Sequence, residues 1–206
     1  MLDVLIALAG VAALLFIGEK LRLHHKYHAE VTRKFIHISV AVFAATWPFW
    51  MSWSNIELLS LLMFIGVLVS RYSHFFKAIH DITRRTWGEL FYAMSIGMVA
   101  VLSQDQWIFA ASMLMMGLAD GMAALVGTMF GGKHRYKILG HYKSWEGTVT
   151  FWVAAVFIIL VCGVLNGPQE GWAVLLWLPI VATFFENFAV AGTDNLMVPL
   201  MVTLLL

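Results

Sequence analysis

The sequence predicts an all-α membrane protein: a polytopic helix bundle of about seven transmembrane helices plus a short C-terminal helix, with the N-terminus outside. Three observations carry that prediction. Of 206 residues, 61% are hydrophobic and 12% charged, and the mean hydropathy is +0.83, whereas soluble domains carry roughly a quarter charged residues. The apolar residues fall in runs close to the length of about 20 residues that a membrane crossing needs. The basic residues, finally, collect in alternate connections between those runs.

The runs can be taken in order. The first, Leu2–Gly18, has no basic segment before it and no small-residue cleavage site after it, so it reads as a membrane helix and not as a leader. Phe35–Trp53, Ile56–Ser70, Gly88–Ser103, Trp107–Phe130, Thr148–Leu165 and Trp172–Ala191 follow as spans. The last apolar piece, Asn195–Leu206, is too short to cross at about 1.5 Å per residue and reads as a half-helix or as a full span cut short. The connections are too short for a separate soluble unit, so residues 1–206 form a single transmembrane domain with three basic loops, 19–34, 71–87 and 131–147. Those loops hold all 13 Lys and Arg residues. Positive charge is retained on the cytoplasmic side, which sets the three loops inside. Trp47, Trp50, Trp53, Trp107 and Trp172 stand at the opposite ends, where interfacial aromatics belong. The single cysteine, Cys162, has no intramolecular partner and excludes a disulfide framework.

The acids divide into two groups. Asp3, Glu57, Asp105 and Glu170 lie at the outer surface, where solvation accounts for them. Asp120 and Glu186 are set inside apolar runs, where a charge costs at least a few kcal/mol unless it is paired or solvated. Counted from the outer ends, both fall about 20 Å in, beyond the midplane toward the basic loops. Glu89, Glu146, Asp194, Asn195 and His37 flank the same inner layer. Buried ion pairs that lock helices together would explain part of it. So many acids facing a basic loop also suit metal-bridged phosphate chemistry, in which carboxylates hold a divalent cation and Lys or Arg neutralise phosphate oxygens. His24, His25 and His28, beside Lys20, Arg22 and Lys26, read as solvated surface facing anionic lipid heads.

Between Gly117 and Gly132 small residues recur every three or four positions, leaving one helix face nearly bare. Plain helix packing is the simplest reading of such a stripe. Here the stripe carries Asp120 and runs into Lys133, Arg135, Lys137 and Lys143. Exposed backbone, a metal-grade carboxylate and a cationic loop are what a nucleoside triphosphate requires. The segment is not a P-loop, since neither the spacing nor a preceding strand is present.

Three stretches resemble the membrane family of CTP-dependent lipid kinases that contains dolichol kinase, phytol kinase and the fungal-type diacylglycerol kinase. They are Arg33-Lys34-Phe-Ile-His37; the run from Asp120 through Gly127 and Gly131 to Lys143-Ser144-Trp-Glu146-Gly147-Thr148; and Glu186-Asn187 followed by Asp194-Asn195-Leu-Met-Val-Pro199. The resemblance implies transfer of the γ-phosphoryl group of CTP, with Mg²⁺, to the hydroxyl of a membrane lipid alcohol of the polyprenol, dolichol or phytol type. Diacylglycerol is the alternative acceptor, and a cytidylyltransferase or an ion-coupled transporter are the rival activities. By the same resemblance Asp120, Glu186, Asp194 and Asn195 hold the metal. Gly121, Ala124, Gly127, Gly131, Lys133, Arg135, Lys137, Ser144 and Gly147 bind the nucleotide. Asp120 and Lys143 are catalytic, and Glu146 or His37 takes the hydroxyl proton. Arg33, Lys34, Trp87 and Glu89 position the lipid. The expected partners are the nucleotide, the lipid alcohol and the bilayer, with no nucleic acid, and a homo-oligomer is allowed. The expected location is a multi-pass protein of the cytoplasmic membrane in a prokaryote, or of the endoplasmic reticulum in a eukaryote, with its site facing the cytoplasm.

Overall fold

The computed structural model describes residues 1–23, 29–73, 87–167 and 173–206. The expected features at His24, His25, Lys26 and His28, at Lys77, Arg84 and Arg85, and at Glu170 and Trp172 lie outside them. The described residues form eight helices: α1 (Leu2–Leu23), α2 (Ala29–Ala45), α3 (Trp53–Ser73), α4 (Gly88–Leu102), α5 (Gln106–Phe130), α6 (Trp145–Asn166), α7 (Val174–Phe188) and α8 (Asp194–Leu205). The all-α class holds. The helices α1, α5 and α6, with Trp53–Arg71 of α3, are long and apolar enough to cross a membrane; α4, α7 and α8 are apolar but shorter.

The apolar runs were legible as helices, and their ends differ where local chemistry intervenes. The expected span Phe35–Trp53 breaks early, because Pro48 sits in a 3₁₀ turn, Trp47–Phe49, that follows α2. A proline lacks the N–H that a continuing helix would need. At its other end α2 begins six residues sooner than hydropathy indicated, taking Arg33 and Lys34 into the helix. Helix α5 carries a π-helical turn over Met115–Ala119. Such a turn inserts one extra residue and so shifts every later side chain around the axis.

One β-hairpin interrupts the helices where a loop was expected. Strand β1 (Arg135–Ile138) pairs antiparallel with β2 (His141–Ser144), Arg135 opposite Ser144 and Ile138 opposite His141. Its two-residue turn, Leu139 and Gly140, has positive φ at both positions, 46° and 86°, which matches the twist of the flanking strands.

Helix α5 is the axis of the bundle. In its most apolar window 67% of the residues are buried, against 22%, 17% and 28% in the corresponding windows of α1, α3 and α6. Phe109, Met113 and Met116 face a core built from α1 to α4 and Trp47. Ala111, Met115 and Ala119 face a second core from α6, α7 and α8. The outer faces of the other helices expose Leu61, Ile65, Val69, Phe157, Leu176, Ile180 and Phe184, as helices immersed in lipid do. At one end of the bundle Asn55 donates to Asp3 at 2.6 Å and Asn166 donates to Asp105 at 3.2 Å, and Asp105 also caps α5 through the amides of Trp107 and Ile108. The acids of the inner group gather at the other end.

Candidate functional site

The glycine stripe brings two helices close enough to assemble the site. A Cβ on Gly117 would lie 1.9 Å from that of Ala41, and one on Gly121 would lie 2.2 Å from Ile38 Cγ1. Helix α2 therefore lies against bare backbone of α5, and this approach delivers Lys34 to Asp120. Lys34 Nζ donates to Asp120 Oδ2 at 2.5 Å, with both side chains buried. The ring of His37, one turn further along α2, puts Nε2 3.0 Å from the Met116 carbonyl and 3.4 Å from Asp120 Oδ2. A carbonyl can only accept, so Nε2 carries the proton and shares it between the two oxygens. The Tyr92 hydroxyl donates to the His37 carbonyl at 3.2 Å, and the two rings meet edge to face at 5.0 Å.

The second half of the stripe meets the hairpin. A Cβ on Gly127 would come within 2.9 Å of Ser144 Oγ, one on Gly131 within 2.4 Å of the same side chain, and one on Gly147 3.0 Å from the Ala123 carbonyl. Room beside Gly121, Gly127 and Gly131 is thus taken by protein. Ser144 Oγ in turn accepts from the Gly147 amide at 3.1 Å and caps α6, a local bond that satisfies one of the free amides at a helix start. Ala124 stands on the same turn, its carbonyl accepting from Thr128 Oγ1 at 2.7 Å.

Alternation along the hairpin sorts its cations. Arg135 and Lys137 point out to solvent with Lys133 at the base of the strand, while Lys143 and Tyr136 turn inward. Lys143 Nζ donates to the Glu186 carbonyl at 2.9 Å and forms an ion pair with Glu186 Oε1. Burial works against the Lys143 ammonium, yet the charge of Glu186, helped by Asp194 and Asp120, holds its pKa above the ordinary lysine value. Tyr136 was not singled out by sequence. Its hydroxyl donates to Asn187 Oδ1 at 2.5 Å and also meets Thr148 Oγ1, while Asn187 Nδ2 donates to the Thr183 carbonyl at 2.9 Å. A tyrosine set between Arg135 and Lys137 is the one signal that could have found it.

Asp194 opens α8 and lies within electrostatic reach of Asp120, Lys34, Lys143 and His37; Glu186 is likewise within reach of Asp120 and Asp194. Lys143 lies within electrostatic reach of all three of these acids. Among the described residues no three His, Cys, Asp or Glu side chains converge tightly enough to ligate a metal by themselves. Asn195 turns elsewhere, its Nδ2 donating to the Gly88 carbonyl at 2.9 Å. Gly88 also meets Gly192, at which φ is +90° and a Cβ would lie 2.6 Å from Gly88 Cα. Glu146 takes His134 as its partner at 2.6 Å. Glu89 faces Arg71 at 4.0 Å, and the Arg71 guanidinium lies over the Trp87 ring at 4.4 Å.

Beside the charged layer, α1 to α4 line an apolar cavity of about 300 Å³ that is open on one side and whose polar lining includes Arg33, His37, Glu89 and, from α8, Asn195. His37 belongs to both.

A helical bundle in which an apolar cavity lies beside a buried lysine–aspartate pair, with His37 common to both, has the build of an enzyme that works on a lipid. Over 183 aligned residues, covering 84% of this chain and 76% of the relative, the sequence is 37% identical to the phytol kinase of Synechocystis sp.. The chain belongs to the phytol and polyprenol kinase family of lipid-alcohol kinases. No family model matches it, and no solved structure does.

Proposed function

We propose that this protein is a multi-pass membrane kinase that transfers the γ-phosphoryl group of CTP to the hydroxyl of an isoprenoid alcohol at the cytoplasmic face. One observation carries the reading: His37 joins the buried Asp120–Lys34 pair to an apolar cavity, so a lipid hydroxyl and a charged phosphate site share a wall. The phytol kinase relative supports the choice of acceptor. The confinement of all 13 Lys and Arg residues to three loops supports seven crossings with the N-terminus outside and the site within.

The donor set suits Mg²⁺, a hard cation that is commonly held by one or two carboxylates together with substrate phosphates. Asp120 and Asp194, with Glu186 beside them, would hold it, and when bound it would neutralise the phosphate oxygens at the reacting end of the nucleotide. Lys143, Lys133, Arg135 and Lys137 compensate the remaining triphosphate charge. The alcohol oxygen bonds to the γ-phosphorus as the bond to the β–γ bridging oxygen breaks, giving lipid phosphate, CDP and a proton. Because Nε2 of His37 is already protonated, Nδ1 is the ring atom able to accept. In such a reaction positioning and charge stabilisation supply most of the rate.

The test uses purified protein in lipid nanodiscs, radiolabelled CTP or ATP, Mg²⁺, and phytol, a polyprenol or diacylglycerol as acceptor. Lipid phosphate with CDP is expected from phytol or polyprenol, falling at least a hundredfold in Asp120→Asn. Transfer undiminished in that variant would remove Asp120 from the chemistry. A CDP-lipid with released pyrophosphate would replace the kinase reading by a cytidylyltransferase.

A further inference from the structure

We infer that Tyr136 is a positioning residue: its hydroxyl ties the hairpin to the end of α7 and so keeps Lys143 in place while the ammonium is engaged by a triphosphate. The inference deepens the kinase reading, on which the phosphate contact of Lys143 rests. Tyr136 and Lys143 are opposite partners across the two strands, and side chains so paired leave the hairpin on one face. They grasp consecutive residues of α7. Lys143 holds Glu186 through its carbonyl and its carboxylate, and Tyr136 holds Asn187 through Oδ1. Asn187 Nδ2 is committed to the Thr183 carbonyl, which leaves Oδ1, an atom that can only accept, facing the hydroxyl. Thr148 Oγ1, in the first turn of α6, donates to the same Oδ1 at 3.2 Å and also meets the tyrosine hydroxyl. One hydroxyl thus joins the hairpin to two helices.

The two holds differ in kind. The Lys143–Glu186 pair is ionic, so a phosphate that engages the ammonium, or a cation that engages the carboxylate, draws on it. The Tyr136 bonds join neutral groups and stay in place when those charges change partners. A lysine carries its charge on a flexible stem, and where that charge reaches is set by where its strand lies. The body of the tyrosine is seated independently of its hydroxyl, 5.2 Å from the Trp145 ring, and the base of the hairpin is tied by the Trp145 amide to the His134 carbonyl at 3.1 Å. Removing the hydroxyl alone therefore releases the hold and leaves the strands folded. The cavity beside His37 is lined, among the described residues, by α1 to α4 and Asn195, and by no residue of the hairpin, α6 or α7. Loss of the hold should consequently reach the nucleotide and spare the alcohol.

The test compares variants of the full chain in nanodiscs by equilibrium binding of radiolabelled CTP with Mg²⁺ and by the KM for phytol. Tyr136→Phe is expected to weaken CTP binding about tenfold, as the loss of one well-placed hydrogen bond allows, with the KM for phytol close to the parent value. Asn187→Ala, which removes the acceptor and keeps the hydroxyl, should give the same split; thermal unfolding reports whether each variant is folded. In Lys143→Met the hold has no ammonium left to position, so adding Tyr136→Phe is expected to weaken CTP binding no further. Three results would overturn the inference and leave the kinase reading standing: folded Tyr136→Phe and Asn187→Ala that bind CTP as the parent does, a KM for phytol that rises in step with CTP binding, or a further tenfold loss in the double variant. A parent that binds CTP and phosphorylates no alcohol would overturn the kinase reading instead, and weakened CTP binding in Tyr136→Phe would still uphold the hold.

Discussion

A lysine and an aspartate buried together in a membrane bundle can be a structural tie or a working pair, and substitution separates the two. Removing one partner of a buried pair leaves the other uncompensated, at a cost of about 3–5 kcal/mol. Lys34→Met strands Asp120 with only the shared His37 proton as compensation. The expected outcome is a marked fall in the thermal midpoint. The double variant Lys34→Met/Asp120→Leu, which removes both charges, is expected to recover much of that stability and none of the activity; recovered transfer would mark the pair as structural. Lys143 gives a second test at this scale. Its folded-state pKa is raised, so the stabilisation it draws from Glu186 is complete at neutral pH and declines only as pH climbs through the raised value. The ammonium therefore keeps its charge across about pH 6 to 9, and the stability difference between the parent and Lys143→Met/Glu186→Leu, which leaves neither partner to titrate, is expected to be flat when thermal unfolding is followed in buffers across that range. A slope there would mean that another group sets the pairing. The sequence revealed Asp120 and Glu186 because charge inside an apolar run is conspicuous, but their partners lie 86 and 43 residues away, and no local spacing encodes such distances.

Among the elements, α5 does most to set the site, through its glycine face and its π turn. The face was visible as a repeat of small residues, and the structure assigns its first half to α2 and its second to Ser144 and Gly147. Gly117→Leu is expected to push α2 off α5, because the added side chain starts 1.9 Å from the Ala41 Cβ. Transfer should be lost together with a large drop in thermal stability, whereas Gly163→Leu, on the open side of α6, should leave both near the parent values. Equal behaviour of the two variants would show that the close approach does not deliver Lys34. The π turn was not legible, since Met-Met-Gly-Leu-Ala has the composition of any membrane helix, yet its Met116 carbonyl holds His37. The hairpin was missed for a related reason. Four-residue strands give little period-two signal, and Leu-Gly is not among the dipeptides that mark a two-residue turn. Helices, by contrast, were legible because hydropathy alone delimits them in a membrane; the end of α2 at Ala45, shortly before Pro48, shows where a backbone constraint overrode it.

For the whole molecule, charge and packing point to the same polarity. The bundle ends tied by Asn55–Asp3 and Asn166–Asp105 belong to connections without Lys or Arg. The ends that carry Lys34 and the hairpin belong to connections that hold every basic residue in the chain, and Lys143 of the hairpin brings Glu186 and Asp194 to the same end. Moving a lysine or arginine across a bilayer core is costly, and loops rich in them stay on the cytoplasmic side during insertion. The nucleotide and the lipid hydroxyl would then reach the site from one side, the nucleotide by way of the hairpin and the alcohol through the cavity wall. Single cysteines placed in a Cys162→Ser background test this arrangement in intact cells with a membrane-impermeant maleimide. Ser52→Cys and Gln104→Cys, both at exposed positions, are expected to react without permeabilisation. Lys133→Cys and Lys137→Cys, exposed on the hairpin, are expected to react only after the membrane is opened. The reverse pattern would invert the protein and place its charged layer outside, out of reach of cytoplasmic CTP.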